Sequence, residues 1–466
     1  MKSLLVDVGL YQSRVAYVED NNLVDLFIQD KMDEKLQGNI YRGIVKNVLL
    51  GMEAAFVDIG IDKNAYLKLS KGHSIKTGQE VLVQVNKEAI GNKGPKITQE
   101  ISIPGRYLVL MPTRDDIAIS NKIKDKEEIQ RIKSIIEEID TKNMGVIIRT
   151  EATDKQKIDF ENDLNEALKT WDEIQKYNKL GMGSKLLYKD LDLTLKVIRD
   201  IFTPDFEKIV VNNKQEYEKV VGVLTKIDKS FKNKVEYFDS GLDLFDYYKI
   251  KKDLKTALNR KVWLKNGAYI IIDKTEAMTV IDVNTGKFTG KLGLDETVFK
   301  TNLEACKEIA RQIRLRNIAG IIIIDFIDMR KDSYKQQILK KLQINLNQDK
   351  TRSQVLGMTN LGLVEVVRKK SNNTLDKYFE SECIYCSGQG HLKSKNKILS
   401  DIEKEIIRIK NHTNLENVLF KSSEYIFDIV KEDDFKHIKE ISKYYNINIE
   451  FAKDKDLNPN DIITTY

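Results

Sequence analysis

Thr275-Glu276-Ala277-Met278-Thr279-Val280-Ile281-Asp282-Val283-Asn284 and Gly320-Ile321-Ile322-Ile323-Ile324-Asp325 decide how this chain is read. Both are apolar strands that end on an aspartate. Side chains two apart in a strand point the same way, so Asp282 and Asn284 share a face. The second stretch is wholly apolar until it delivers Asp325, with Asp328 three residues later. Around them the pattern is the most regular in the chain: strand 268–273, strand 278–282, helix 295–317, strand 320–325, helix 333–347. Strand ends of an α/β sheet are where ligands bind. Two carboxylates and an amide oxygen gathered there make a hard-oxygen site suited to Mg²⁺ or Mn²⁺. Such an ion acidifies a bound water and neutralises charge on a phosphoryl oxygen. A single aspartate in this position would as readily cap a turn. For the set of Asp282, Asn284 and Asp325, burial of unpaired acids without a cation is costly.

Working outward, Leu4–Gly9, Arg14–Val18 and Leu23–Ile28 read as a three-stranded meander at the edge of an α/β domain. Residues 36–99 hold short strands (39–45, 53–59 and 79–86) punctuated by glycine turns, the pattern of a small barrel. Pro95, Pro104 and Pro112, three of five prolines, then mark a domain junction. Helix 124–139, strand 145–149 and helix 154–177 follow. Residues 209–238 read as strand, helix and return strand, and 242–260 as one helix. Residues 392–466 form a separate tail, lysine-rich at first and then strand, helix, strand.

The 466 residues suffice for about three domains at ~150 residues each. With 41% hydrophobic and 32% charged residues the balance is globular rather than disordered. The net charge of +6, from 77 basic and 71 acidic residues, is too small to identify a nucleic-acid partner without a local cluster. The apolar run Ala319–Ile324 falls far short of the roughly 18 residues of a membrane span. Asp7 interrupts what would be the apolar core of a signal peptide. The expectation is a cytoplasmic protein.

Four scattered histidines, His73, His391, His412 and His437, leave no imidazole pair for acid–base cleavage, so hydrolysis would run through a metal. Cys383-Ile384-Tyr385-Cys386-Ser387-Gly388-Gln389-Gly390 lets two thiolates reach one Zn²⁺, with glycines that admit backbone N–H groups to the sulfurs. Zinc takes four ligands, so either His391 and another group complete the set or a second chain supplies two thiolates. A redox pair would open a helix after a strand, which this glycine-rich context does not. Cys306, inside a helix, reads as core. The barrel offers Tyr41, Arg42, Phe56, Tyr66, Lys87, Lys93 and Lys96, aromatics to stack bases and cations to track phosphates. The plainer alternative makes Phe56 core and the lysines solvated charges.

Together these pieces resemble the ribonuclease E/G family over nearly the whole chain. The carriers are Gly38-Asn39-Ile40-Tyr41-Arg42-Gly43, Glu53-Ala54-Ala55-Phe56-Val57-Asp58, Gly91-Asn92-Lys93-Gly94 and Tyr107-Leu108-Val109-Leu110-Met111-Pro112. Further on come Ile148-Arg149-Thr150, the 275–284 stretch, Thr301-Asn302-Leu303-Glu304-Ala305, Ile324-Asp325-Phe326-Ile327-Asp328-Met329 and the cysteine motif. The length is that of the short G form. The resemblance implies a multidomain α/β fold. An RNase H-like domain (1–35 and 195–257) is split by an S1-type OB barrel (36–99) and a 5′-sensor region (100–194). A DNase I-like catalytic domain (258–382), a zinc link (383–391) and a small C-terminal α/β domain (392–466) follow.

By the same resemblance, Asp282 and Asp325 would ligate a catalytic Mg²⁺, and Asn284 would orient the water or the scissile phosphate. Phe56, Tyr66 and Lys93 would grip RNA. Gly105, Val109, Arg149, Thr150 and Arg352 would bind a 5′-monophosphate, a role that suits guanidinium forks. Cys383 and Cys386 would give half of a structural Zn²⁺ site shared between subunits of a homodimer or tetramer. The implied activity is hydrolysis of single-stranded RNA to 5′-phosphate and 3′-hydroxyl ends, faster with a 5′-monophosphate, in ribosomal RNA processing and messenger RNA decay. The rival is a non-catalytic RNA-binding or ribosome-assembly factor on the same fold. Three departures stand out: Ile384 where proline is usual, Tyr66 where phenylalanine is common, and Ala118 where glycine is frequent.

Overall fold

A computed structural model describes the chain except residues 33–34, 70–74, 90–92, 287–293, 371–372, 384, 387, 389, 433 and 466. It forms two compact units, 1–372 and 373–466.

The sheet that carries the two aspartate-ended strands has six strands. Their order is Lys261–Trp263, Tyr269–Lys274, Met278–Asn284, Gly320–Asp325, Val364–Arg368 and Ser353–Met358. Only the central pair is parallel, and its register sets Asp282 opposite Asp325. The helices Leu294–Leu315 and Asp332–Leu346 share a core with one face of this sheet. Ala305, Cys306, Ile309, Ile313, Ile338 and Leu342 meet Ile270, Ile281, Ile322 and Ile324 there. Ile322 and Ile324 are fully buried, and each side chain so removed from water contributes about 1.5–3 kcal/mol. Alternation then sends Ile321, Ile323 and Asp325 to the opposite face. That face stays open: Met278, Ile321 and Val367, cross-strand neighbours, are all exposed.

A second sheet runs Val235–Tyr237, Lys208–Val211, Lys2–Val8, Gln12–Glu19, Asn22–Asp30. It thus joins the N-terminal meander to strands some two hundred positions later. Val235–Tyr237 lies parallel to Lys208–Val211, since the helix Lys214–Ile227 crosses over between them. Between these segments in sequence sits a barrel of Ile40–Leu49, Ala54–Asp58, Ala65–Lys68, Lys96–Thr98 and Glu80–Lys87, closed by pairing of the first with the last. Gly43 is required there, because a Cβ would come within 2.5 Å of Val57 Cγ1. A four-stranded sheet (Ile117–Ile119, Gly145–Ile148, Leu108–Met111, Ile103–Pro104) shares a core with the helices Lys126–Glu137 and Lys157–Lys179.

Two local expectations change. The single helix over 242–260 is two, Leu244–Tyr247 and Lys251–Leu258, broken where Lys249 takes φ +58°. The tail opens with a helix, Lys395–His412, before its strands. Ile398, Ile402, Ile406 and Ile409 recur at helical spacing and are buried in that unit's own core, while lysines fill the wet face. The sheet of the second unit runs Asn448–Lys453, Asn417–Ser422, Ile462–Thr465.

Candidate active site

Asp282 and Asp325 face each other across adjacent parallel strands at the strands' carboxyl ends, with Asn284 two residues beyond Asp282 on the same face. Asn284 Nδ2 donates to Asp282 Oδ2 at 2.7 Å and so orients that carboxylate. Partial burial, then the charges of Asp282 and Asp328, push the Asp325 carboxyl above its ordinary value. All three aspartates are exposed, so the expected cost of burying unpaired acids does not arise. Like charge crowded at one strand end provides the pull on a cation instead. Among the described residues no three His, Cys, Asp or Glu side chains form a complete ligand set. Two carboxylates and an amide nevertheless fit Mg²⁺, which keeps waters and shares its shell with substrate phosphates.

On the barrel, Phe56 and Tyr66 are cross-strand partners, half-buried, with ring centroids 6.2 Å apart and edge to face. Phe56 is therefore not a core residue. Lys93 is exposed, and the residue after it approaches their hairpin: a Cβ on Gly94 would lie 2.0 Å from the Asn64 carbonyl, just before the Tyr66 strand. Lys96 pairs with Tyr66 in register. Tyr41 and Arg42, expected on this surface, are buried. The Arg42 guanidinium donates to the carbonyls of Asn178, Gly181 and Gly183, tying down the chain beyond the 157–179 helix.

Gly105, Val109, Arg149 and Thr150 come together. Arg149 Nη1 donates to the Gly105 carbonyl at 2.7 Å, and Val109 is the cross-strand partner of Pro104 and Ile147. Thr150 Oγ1 lies 3.1 Å from Ser120 Oγ. Arg352 is exposed, and the same loop's Lys350 bonds to Glu151 and to the Asp200 carbonyl. Two features escaped the sequence. Asp163 accepts the backbone N–H groups of Arg106, Tyr107 and Leu108 at 2.8–2.9 Å, so the donors expected near Gly105 are already engaged. Asp200 pairs with Arg149 at 2.8 Å and with Arg199 at 2.9 Å, and these cations hold it below the usual carboxylate value against the opposing effect of burial. Neither aspartate has a local motif; only their contacts distinguish them. A cleft of about 470 Å³, lined by Thr150, Glu151 and Lys350 among others, opens alongside.

In the second unit, Cys383 is exposed, and backbone N–H groups of Cys386 and Tyr385 lower its thiol pKa. Gly390 N donates to Cys386 Sγ at 3.1 Å. Two sulfurs so solvated by amides suit half of a zinc site. Ile384 lies outside the described residues, as do His73, Gly91 and Asn92.

Fold and site define a multidomain α/β protein with a hard-oxygen carboxylate pair on one sheet and a closed OB-type barrel in the same unit. The profile of the "Ribonuclease E/G family" matches residues 102–371. Similar proteins include ribonuclease G of Escherichia coli strain K12, 34% identical over 459 residues and 94% of each chain. Ribonuclease G of Haemophilus influenzae is 32% identical over 98% of this chain and 97% of its own. Ribonuclease E of Synechocystis is 36% identical over 81% of this chain and 60% of its own. The chain belongs to the ribonuclease E/G family.

Proposed function

We propose that the protein is an endoribonuclease that hydrolyses single-stranded RNA with Mg²⁺, in ribosomal RNA processing and messenger RNA decay. The observation that carries this is the register of Asp282 against Asp325 at the ends of two parallel strands, with Asn284 on the same face. Asp282 and Asp325 would hold the ion, which when bound supplies an acidified water and charge neutralisation at phosphorus. Asn284 fixes Asp282 with one amide hydrogen and has a second for a phosphoryl oxygen. Phe56 and Tyr66 stack bases, and Lys93 meets the backbone. A 5′-monophosphate is read at Gly105, Val109, Arg149, Thr150 and Arg352. There it competes with the Asp200 carboxylate for Arg149.

Cys383 and Cys386 supply two of four zinc thiolates and a second copy the others, giving a homodimer or a tetramer. The open sheet face with Met278, Ile321 and Val367 offers apolar surface for such contacts. We further read 1–35 with 195–257 as one RNase H-like domain interrupted by the barrel and sensor, and 258–382 as the DNase I-like catalytic domain. Among the described residues no helix is long and apolar enough to cross a membrane, in keeping with a cytoplasmic setting.

The test is an A/U-rich single-stranded RNA carrying 5′-monophosphate or 5′-hydroxyl, incubated in Mg²⁺ with the wild type and with Asp325→Asn. Faster internal cleavage of the phosphorylated form is expected, with the variant slowed at least ~100-fold and its RNA affinity kept. Binding without cleavage by the wild type would favour an RNA-binding or assembly factor.

A further inference from the structure

The edge strand Lys261–Trp263 carries an exposed aromatic that the carboxylate site does not use. Trp263 is 61% exposed although its neighbours Val262 and Leu264 are buried. It stands on the open face of the catalytic sheet, in register with Tyr269, which is in register with Asn284. Three adjacent strands thus line up Trp263, Tyr269 and Asn284, so the backbone positions of Trp263 and Asn284 lie about 10 Å apart across the sheet. The two rings meet at 64° with centroids 5.2 Å apart. Lys261 Nζ lies 4.0 Å from the Trp263 centroid and 3.6 Å from that of Tyr269.

The hairpin beneath is tight. Leu264 N donates to the Ala268 carbonyl and Ala268 N to Asn266 Oδ1, each within 2.9 Å. Gly286, two residues after Asn284, lies so close that a Cβ there would be 2.5 Å from the Gly267 carbonyl. The aromatic pair is therefore held rigidly relative to the site. An exposed aromatic, a cation tethered to it and a row that leads to the phosphate-handling residues are the components of single-strand recognition.

We propose that Trp263, Tyr269 and Lys261 form a nucleobase subsite of the cleavage site: the indole stacks a base of single-stranded RNA near the phosphate held at Asp282, Asn284 and Asp325, and Lys261 meets that nucleotide's phosphate. The assignment rests on the endoribonuclease reading. A nucleobase is favoured over a second copy of the chain because an ammonium held against two rings and an exposed indole at the sheet's edge suit a charged, planar ligand. The apolar row of Met278, Ile321 and Val367 lies elsewhere on that face.

The chain has two tryptophans, and Trp171 is buried in the core of another sheet and its helices. Trp171→Phe therefore leaves Trp263 as the sole indole reporter. In an Asp325→Asn background, titration with the 5′-phosphorylated RNA should quench Trp263 emission saturably. An abasic nucleotide should remove the quench at one position only, while fluorescence anisotropy still reports binding. In the active enzyme Trp263→Ala should raise KM about tenfold with kcat within about twofold, and Trp263→Phe should restore most of the loss. RNA that binds and is cleaved with Trp263 emission and KM unchanged overturns the subsite and leaves the endoribonuclease standing. Emission that follows protein concentration without RNA gives the surface to a second copy and also overturns it. Wild-type protein that neither binds nor cleaves RNA removes the functional reading itself.

Discussion

Asp282 and Asp325 stand opposite each other because their two parallel strands pair in a register that matches one with the other. Their residue types and local spacing were legible; their exposure was not, since it depends on what covers the sheet. Cys306 shows the converse. It is fully buried between helix and sheet, and burial pushes its thiol up to about 12. Of the three thiols, two should react with a maleimide or disulfide reagent at pH 8 in metal-free native protein, and the third only after unfolding. A native count of three would place Cys306 at the surface. Asp200 yields a pH prediction. Its folded pKa lies below the ordinary 3.8, so its stabilisation is present above that value and lost as pH falls through the folded one. Asp200→Asn should cost about 1–3 kcal/mol near neutral pH by leaving Arg149 and Arg199 short of a partner. The gap to wild type in urea unfolding should hold down to about pH 5 and close below about pH 4.

At the scale of elements, periodicity was a good guide wherever one face is buried and a poor one where backbone geometry intervenes. The run from 242 to 260 has helical composition throughout, yet Lys249 in the left-handed region separates two helices. A side chain there costs about 1 kcal/mol that glycine does not. Lys249→Gly should raise the urea midpoint by the equivalent of about 0.5–1 kcal/mol, with the m-value unchanged. A fall would mean that the Lys249 side chain has a stabilising contact. The Lys395–His412 helix differs for another reason: its lysines occupy the solvent face, while the buried isoleucine stripe decides its structure. Barrel strands were legible as short runs between glycines. That Arg42 turns inward to cap three carbonyls was not, because its partners lie some 140 residues away.

For the whole molecule, the cluster around Arg149 draws on segments near 105, 150, 200 and 350, which meet only through the fold. The cysteine pair has the opposite character: on the proposed reading its two zinc ligands are local in sequence and a second copy supplies the other two. A strong chelator should therefore convert a zinc-loaded dimer to monomers in light scattering, with release of one zinc per two chains, and Cys383→Ser should do the same. A dimer that survives both changes would rest on the open sheet face instead.

The sequence by itself determined where strands end in acids, which helices are amphipathic, where the chain turns through glycine and proline, and which family motifs it carries. All of these depend on residues within a few positions of one another, where sterics and hydrophobic periodicity act directly. Tertiary structure alone decided the register of Asp282 against Asp325, the engagement of Arg149 by Asp200, the inward turn of Arg42 and the alignment of Trp263 with Asn284. Each of these joins side chains carried by separate segments of the chain. Which segments meet is set by strand order and by the apolar surface they bury together, and no local pattern encodes that choice.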